Sequence, residues 1–169
     1  MSNQSSILVG CDNKIVWVRV EGKGSFLNSS GLKEFAREMI NRGHREFIID
    51  LANCPVMDST FMGTLAGIAL RLREIGQGTL RVIHLNDRNS DLLSNLGLNQ
   101  LFVLGMDNMP PSDDPQTEPI EPSATAGSGR VEQAQTMLEA HEALVKASAE
   151  NLTKFKDVLE YLKQDLAHS

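Results

Sequence analysis

The apolar positions of the chain alternate between a period of two and a period near 3.6, and the switches mark out its elements. In "SILVGCDNKIVWVRVEG" two β-branched stretches flank Asp12-Asn13, residues that tolerate the positive φ of a tight turn, which predicts a β-hairpin. Val16, Val18 and Val20 share one face of its second strand, and Ile15, Trp17 and Arg19 the other. After the polar loop "GKGSFLNSS", Leu32, Phe35, Ala36, Met39 and Ile40 form a helical stripe, with Asn28, Ser29 or Ser30 as cap and Gly43 as stop. "REFIIDLANC" is almost continuously apolar, the pattern of a strand buried on both faces, and Pro55 ends it. From Thr60 to Ile75 the spacing is helical again, with Phe61, Leu65, Ile68, Ala69, Leu72 and Ile75 on one broad side. Gly63 and Gly67 fall one turn apart on this helix and remove side chains where a sheet or a neighbouring helix must come close. Gly76 stops the helix. "TLRVIHL" then reads as a strand, "RNSDLLSNLG" as a short helix ended by Gly97, and "LFVLGM" as a short strand or helix.

Strands alternating with helices predict an α/β domain over residues 1–108, its sheet mixed but mostly parallel because it opens on a hairpin. Residues 109–129, "MPPSDDPQTEPIEPSATAGSG", hold five of the chain's 6 prolines and read as a linker. Residues 130–169 read as an amphipathic helical segment. Val131, Leu138, Val145, Leu152, Leu159 and Leu166 recur every seven residues, while the positions three further on are Ala134, His141, Ser148, Phe155 and Leu162. A single helix from Arg130 to Leu166 would be roughly 55 Å long. That is too long to lie on a domain of this size unless it breaks near "ASAEN" into a helical hairpin. Two readings stand: a segment folded back over an apolar face, or a coiled coil that makes a homodimer through 130–166 or recruits a partner.

Composition narrows the class. With 41% hydrophobic and 22% charged residues in 169, the chain has a globular composition. Its net charge of −6 is acidic, and no Lys/Arg cluster sits beside aromatics, which argues against a nucleic-acid partner. Cys11 and Cys54 stand beside apolar runs in no metal-ligand spacing and read as small buried hydrophobes of a reducing compartment. "MSNQSSILVG" does not have the pattern of a signal peptide, and no apolar run is long enough to span a membrane, so a cytoplasmic location without membrane insertion is expected.

The motifs offer little catalysis. "GKGS" lacks the spacing of a phosphate-binding loop, no G-x-S-x-G elbow exists, and neither a cofactor nor a metal site is expected. A nucleophilic Ser59 would need a histidine folded onto it from far along the chain. The stretch "VMDSTFMGTLAGIALRL" is more informative. Asp58, Ser59 and Thr60 are all preferred helix caps, but one cap needs one residue. Three polar groups here lie at the C-terminal edge of a sheet, where partners of α/β folds dock. A phosphate on Ser59 would add almost two negative charges beside helix N–H groups that favour anions, while a closely fitted partner surface would reject it.

The order hairpin, "LKEFAREMI", "EFIIDLANCPVMDSTFMGTLAGIALRLREIGQGTLRVIHLN" and "LLSNLGLNQLF" resembles the STAS family, the domain of bacterial anti-sigma factor antagonists, over about residues 7–105. Members usually carry Asp-Ser-Ser/Thr-Gly-Leu-Gly, whose first serine is phosphorylated by a serine kinase that is also the anti-sigma factor. Ser59 matches that serine, Asp58 the acid, Thr60 the second hydroxyl and Gly63 the last glycine. Phe61 and Met62 replace Gly-Leu, which implies a bulkier surface beside the serine. The family's Gly-Glu-Leu-Asp stretch appears as Gly24-Ser25-Phe26-Leu27-Asn28 without either acid. The resemblance implies a non-enzymatic regulatory protein that binds an anti-sigma factor or serine kinase and is reset by a phosphatase. Ser59 would be the switch, Asp58, Thr60, Phe61, Met62 and Gly63 would shape its face, and Ser25, Phe26 and Asn28 would make a second contact. The alternatives are a constitutive STAS scaffold or nucleotide-binding subunit of a transporter or signalling assembly and, more remotely, a serine-nucleophile enzyme.

Overall fold

The computed structural model describes residues 6–12, 15–104, 118–119 and 129–167. Strands β1 (Ser6–Asp12) and β2 (Ile15–Glu21) pair antiparallel, Ser6 opposite Glu21 and Asp12 opposite Ile15. The turn residue Asn13 lies outside the described residues. β3 (Glu46–Asn53), β4 (Thr79–Ile83) and β5 (Val103–Leu104) then add in parallel beside β2, and β6 (Glu118–Pro119) pairs antiparallel with β1. The sheet order is β5-β4-β3-β2-β1-β6, mixed as the opening hairpin predicts. β6 falls inside the stretch read as a linker, most of which lies outside the described residues.

Helices α1 (Phe26–Asn41) and α2 (Ser59–Ile75) cover the sheet face that carries Val16, Val18 and Val20, all fully buried. Phe47, Ile49, Leu51, Leu65 and Leu72 complete this core, each contributing about 1.5–3 kcal/mol by its burial. α3 (Asp87–Asn95) and a 3₁₀ turn at Leu98–Gln100 close one end through Leu93, Leu98 and Phe102.

The C-terminal segment is a helical hairpin of α4 (Arg130–Ala147) and α5 (Asn151–Ala167). It breaks at Ser148–Glu150, inside "ASAEN", so the seven-residue row is split between two helices rather than forming one seam. Val131 and Leu152 of that row are about half exposed, whereas Leu144, outside it, is fully buried in the main core. The hairpin folds back on the domain, which is the first of the two readings of this segment.

Two local expectations are corrected. The loop before α1 is shorter than the pattern suggests, because Ser25 caps the helix one turn upstream of Ser29. Its Oγ accepts from the Leu27 N–H at 3.2 Å and Asn28 Oδ1 accepts from the Ser25 N–H at 3.0 Å, a reciprocal capping box with Asn in place of the usual acid. Of the cysteines, Cys54 is buried, and burial pushes its thiol above the ordinary value of 9.0. Cys11 is exposed near the C-terminal end of β1, its Sγ 3.5 Å from His44 Nε2. An apolar neighbourhood in sequence does not bury a residue near the end of a hairpin strand.

Candidate functional site

The site forms where the connections β2–α1 and β3–α2 run side by side. Gly24 bridges Met57, the Gly24 N–H donating to the Val56 carbonyl at 3.0 Å and the Asp58 N–H to the Gly24 carbonyl at 2.8 Å. A Cβ on Gly24 would meet the Phe61 ring at 2.7 Å, so only glycine lets the two connections close up. Asp58 joins the two helix starts. Its Oδ1 caps α2 by accepting from the Phe61 N–H at 2.8 Å, and its Oδ2 accepts from the Phe26 N–H of α1 at 3.0 Å. Both carboxylate oxygens are thereby held, which fixes the backbone leading into Ser59, the first residue of α2.

Ser59 and Asp58 are half-buried. Thr60 is buried, and its carbonyl accepts from Thr64 Oγ1 at 2.9 Å. Phe61 and Met62 are 0% and 3% exposed, so they turn into the core and do not bulk the surface beside the serine. Ser25 is buried, while Phe26 and Asn28 are half-buried around the α1 start. The sequence-predicted set is thus brought together at one end of the sheet, with part of it lining the site from beneath.

Sequence reasoning did not find what covers the site. α4 lies along α2, its closest point the Ala140 backbone over Gly63, where an added Cβ would come within 2.2 Å of the Ala140 carbonyl oxygen. Gly67 faces Ala143, with 3.8 Å between its would-be Cβ and that methyl carbon. The glycine pair therefore admits the C-terminal hairpin rather than the sheet. Around this crossing Lys33 Nζ pairs with Glu139 Oε1 at 2.8 Å, Lys146 Nζ with Glu74 Oε2 at 2.9 Å, and buried Asn151 donates to the Leu96 and Leu144 carbonyls. The Glu139 carboxyl is held below the ordinary range: burial opposes its ionisation, but the Lys33 bond and charge outweigh it. The Lys146 hydrogen bond, with its charge, does the same for Glu74.

The same helix places His141 on the serine. Ser59 Oγ and His141 Nε2 are 2.9 Å apart, His141 Nδ1 is 2.6 Å from the Met137 carbonyl oxygen, and the ring packs edge-on against Phe155 at 5.0 Å. A carbonyl only accepts, so Nδ1 carries a proton, and in that tautomer Nε2 is the acceptor for the Ser59 hydroxyl. The available hint was His141 and Ser148 breaking an apolar companion row, which signals a polar surface opposite. Beside this contact a cleft of about 420 Å³ opens between α1, α2 and α4, edged by Lys33, Arg37 and Arg71 and floored by Ile40, Gly67 and Ala140.

The sequence model of the STAS domain matches residues 6–112. The chain belongs to the STAS family. Among solved structures, the STAS fold here is similar to SpoIIAA in its unphosphorylated form, an anti-sigma factor antagonist, at 16% identity and a TM-score of 0.53, covering 60% of this chain and 89% of that one. An anti-sigma factor antagonist from Mycobacterium paratuberculosis is similar at 18% identity and a TM-score of 0.54, covering 64% and 91%. At these identities the likeness speaks for the fold. No curated protein matches the chain in sequence. The STAS match ends before α4 and α5, so the hairpin that covers Ser59 lies outside it.

Proposed function

We propose that this chain is a cytoplasmic regulatory binding protein of the anti-sigma factor antagonist kind, whose partner binding is switched by phosphorylation of Ser59. The observation that carries this is the placement of Ser59: a half-buried hydroxyl at the first position of α2, beside a second helix start tied to it by Asp58. A phosphate there faces the helix N-terminus, whose free N–H groups and dipole favour an anion. Asp58 is already engaged at both oxygens, which lessens its opposition to that charge. The domain would tolerate the phosphate and a fitted partner would not, because burying a dianion against an apolar or acidic surface costs several kcal/mol. Asp58, Phe26 and Asn28 would frame the contact, with buried Thr60, Phe61, Met62, Gly63 and Ser25 setting its shape. The partners would be an anti-sigma factor or serine kinase and a phosphatase, with residues 109–129 linking the domain to its hairpin. No helix among the described residues is long and apolar enough to cross a membrane.

Intact-mass analysis of protein from its native cell should show one phosphate, absent in Ser59→Ala. Ser59→Asp should lose the partner that Ser59→Ala retains. Equal binding by both variants refutes the switch.

A second reading has one observation behind it. The Ser59–His141 contact is the hydrogen bond by which a base activates a hydroxyl nucleophile. Against it, the adjacent cleft is lined by Gly63 and Thr64 rather than Ser59, and a backbone carbonyl rather than a carboxylate orients the ring. Covalent labelling of Ser59 by a serine-reactive phosphonate, lost in His141→Ala, would favour it over the switch.

A further inference from the structure

We propose that the C-terminal hairpin is a removable cover on the Ser59 face, and that its docking and a phosphate on Ser59 exclude one another. This rests on the reading of Ser59 as the phosphorylated residue and adds what the modification does inside the chain.

Steric and bonding constraints at the contact lead to this conclusion. With Ser59 Oγ 2.9 Å from His141 Nε2, a phosphoryl group on Oγ would put phosphorus and three oxygens into the space the imidazole fills. The ring has little freedom to step aside. It is 4% exposed, its Nδ1 is tied to its own helix at the Met137 carbonyl, and Phe155 of α5 closes its flank. α4 cannot make room by pressing closer, because the Ala140 backbone already rests on Gly63. Making room for the phosphate therefore requires α4 to leave.

The chemistry of transfer leads the same way. A kinase moves the γ-phosphoryl group of a nucleoside triphosphate to Oγ. The bond from phosphorus to the leaving diphosphate breaks, the Oγ–P bond forms, the Oγ proton passes to a base, and the diphosphate departs. In the docked state the Oγ of half-buried Ser59 is hydrogen-bonded to His141, whose ring occupies the space that an incoming phosphoryl group on that side would need. The hairpin must come off before transfer and cannot return while the phosphate stays. The ties that hold it are Leu144 in the main core, two exposed or half-exposed ion pairs, a small-residue crossing and Asn151, and the covalent connection keeps the hairpin at high local concentration, so that it can redock once the phosphate is gone.

The test uses the full chain with Gly67→Cys and Ala143→Cys, whose Cβ separation of 3.8 Å suits a disulfide, and Cys11→Ser to remove the other exposed thiol. Closure under mild oxidant reports docking. The bridge should form readily with Ser59 and with Ser59→Ala. With phosphoserine incorporated at position 59 it should form about tenfold more slowly or less completely, a difference of about 1.4 kcal/mol in the docked population. Ser59→Asp, expected to slow closure in the same direction, serves if the phosphorylated protein does not fold, as judged by circular dichroism. Closure at the unmodified rate with the charged residue overturns the proposal, as does faster closure, which would mean that a charged His141 clasps the phosphate. If native protein carries no phosphate on Ser59 yet closure depends on charge at that position, the switch reading falls and the steric exclusion stands.

Discussion

Ser59 and His141 each have a bond that fixes their roles: Asp58 holds the start of the serine's helix, and the Met137 carbonyl holds the histidine's proton on Nδ1. The hydrogen bond between them joins the STAS domain to the hairpin, so it should register as a coupling energy rather than as two independent losses. In a double-mutant cycle of Ser59→Ala and His141→Ala, read by urea unfolding, the interaction should come to about 0.5–1.5 kcal/mol. His141→Ala alone should cost more, about 2 kcal/mol or above, because it also strips the packing partner of Phe155. Additive effects would mean that the bond contributes nothing to docking. At this scale the serine, its capping acid and its hydroxyl neighbour were readable from residue type and spacing. His141 was not, since 82 residues of chain separate the two and no local rule links them.

Among the elements, the α2–α4 crossing shows how differently two glycines in one helix can act. Gly63→Ala would drive a methyl into the Ala140 carbonyl, so it should lower stability by about 1–3 kcal/mol and loosen the hairpin. Gly67→Ala meets Ala143 at ordinary contact distance, and alanine's higher helix propensity should make it neutral or stabilising by up to about 1 kcal/mol. Thermal unfolding together with limited proteolysis within 130–167 would separate the two, and similar effects from both would refute this account of the crossing. The helix stripes and the strand runs follow from periodicity, while a break near "ASAEN" is one of two readings and comes from the length of the helix against the size of the domain. Periodicity does not say which element supplies the close neighbour that a glycine pair invites.

For the whole molecule, docking carries a pH dependence with a definite sign. Glu139 and Glu74 have carboxyl groups held below their ordinary value of 4.5 by Lys33 and Lys146 of the facing element. A depressed folded-state value means that the ionised pair favours the docked state above that ordinary range and that this contribution is lost as pH falls through the folded value. Hairpin docking should therefore weaken on going from about pH 6 to about pH 3, by no more than about 1 kcal/mol for the partly exposed Lys33–Glu139 pair. Proteolytic or NMR titration of the hairpin would detect this, and Lys33→Ala should flatten the curve. An unchanged curve in that variant would place the dependence elsewhere.

Local periodicity and contiguous motifs are enough by themselves for most of the elements, the mixed sheet and the family, and they single out Ser59; β6, inside the stretch read as a linker, is not among them. Long-range packing settles that Phe61 and Met62 turn inward, that Ser25 rather than Asn28 caps α1, and that the C-terminal segment lies over Ser59. These outcomes depend on which surfaces meet across long stretches of chain. The same heptad pattern suits a partner helix in another molecule or α2 in this one, and the choice is made by the fit of the Ala140 backbone into the space left by Gly63.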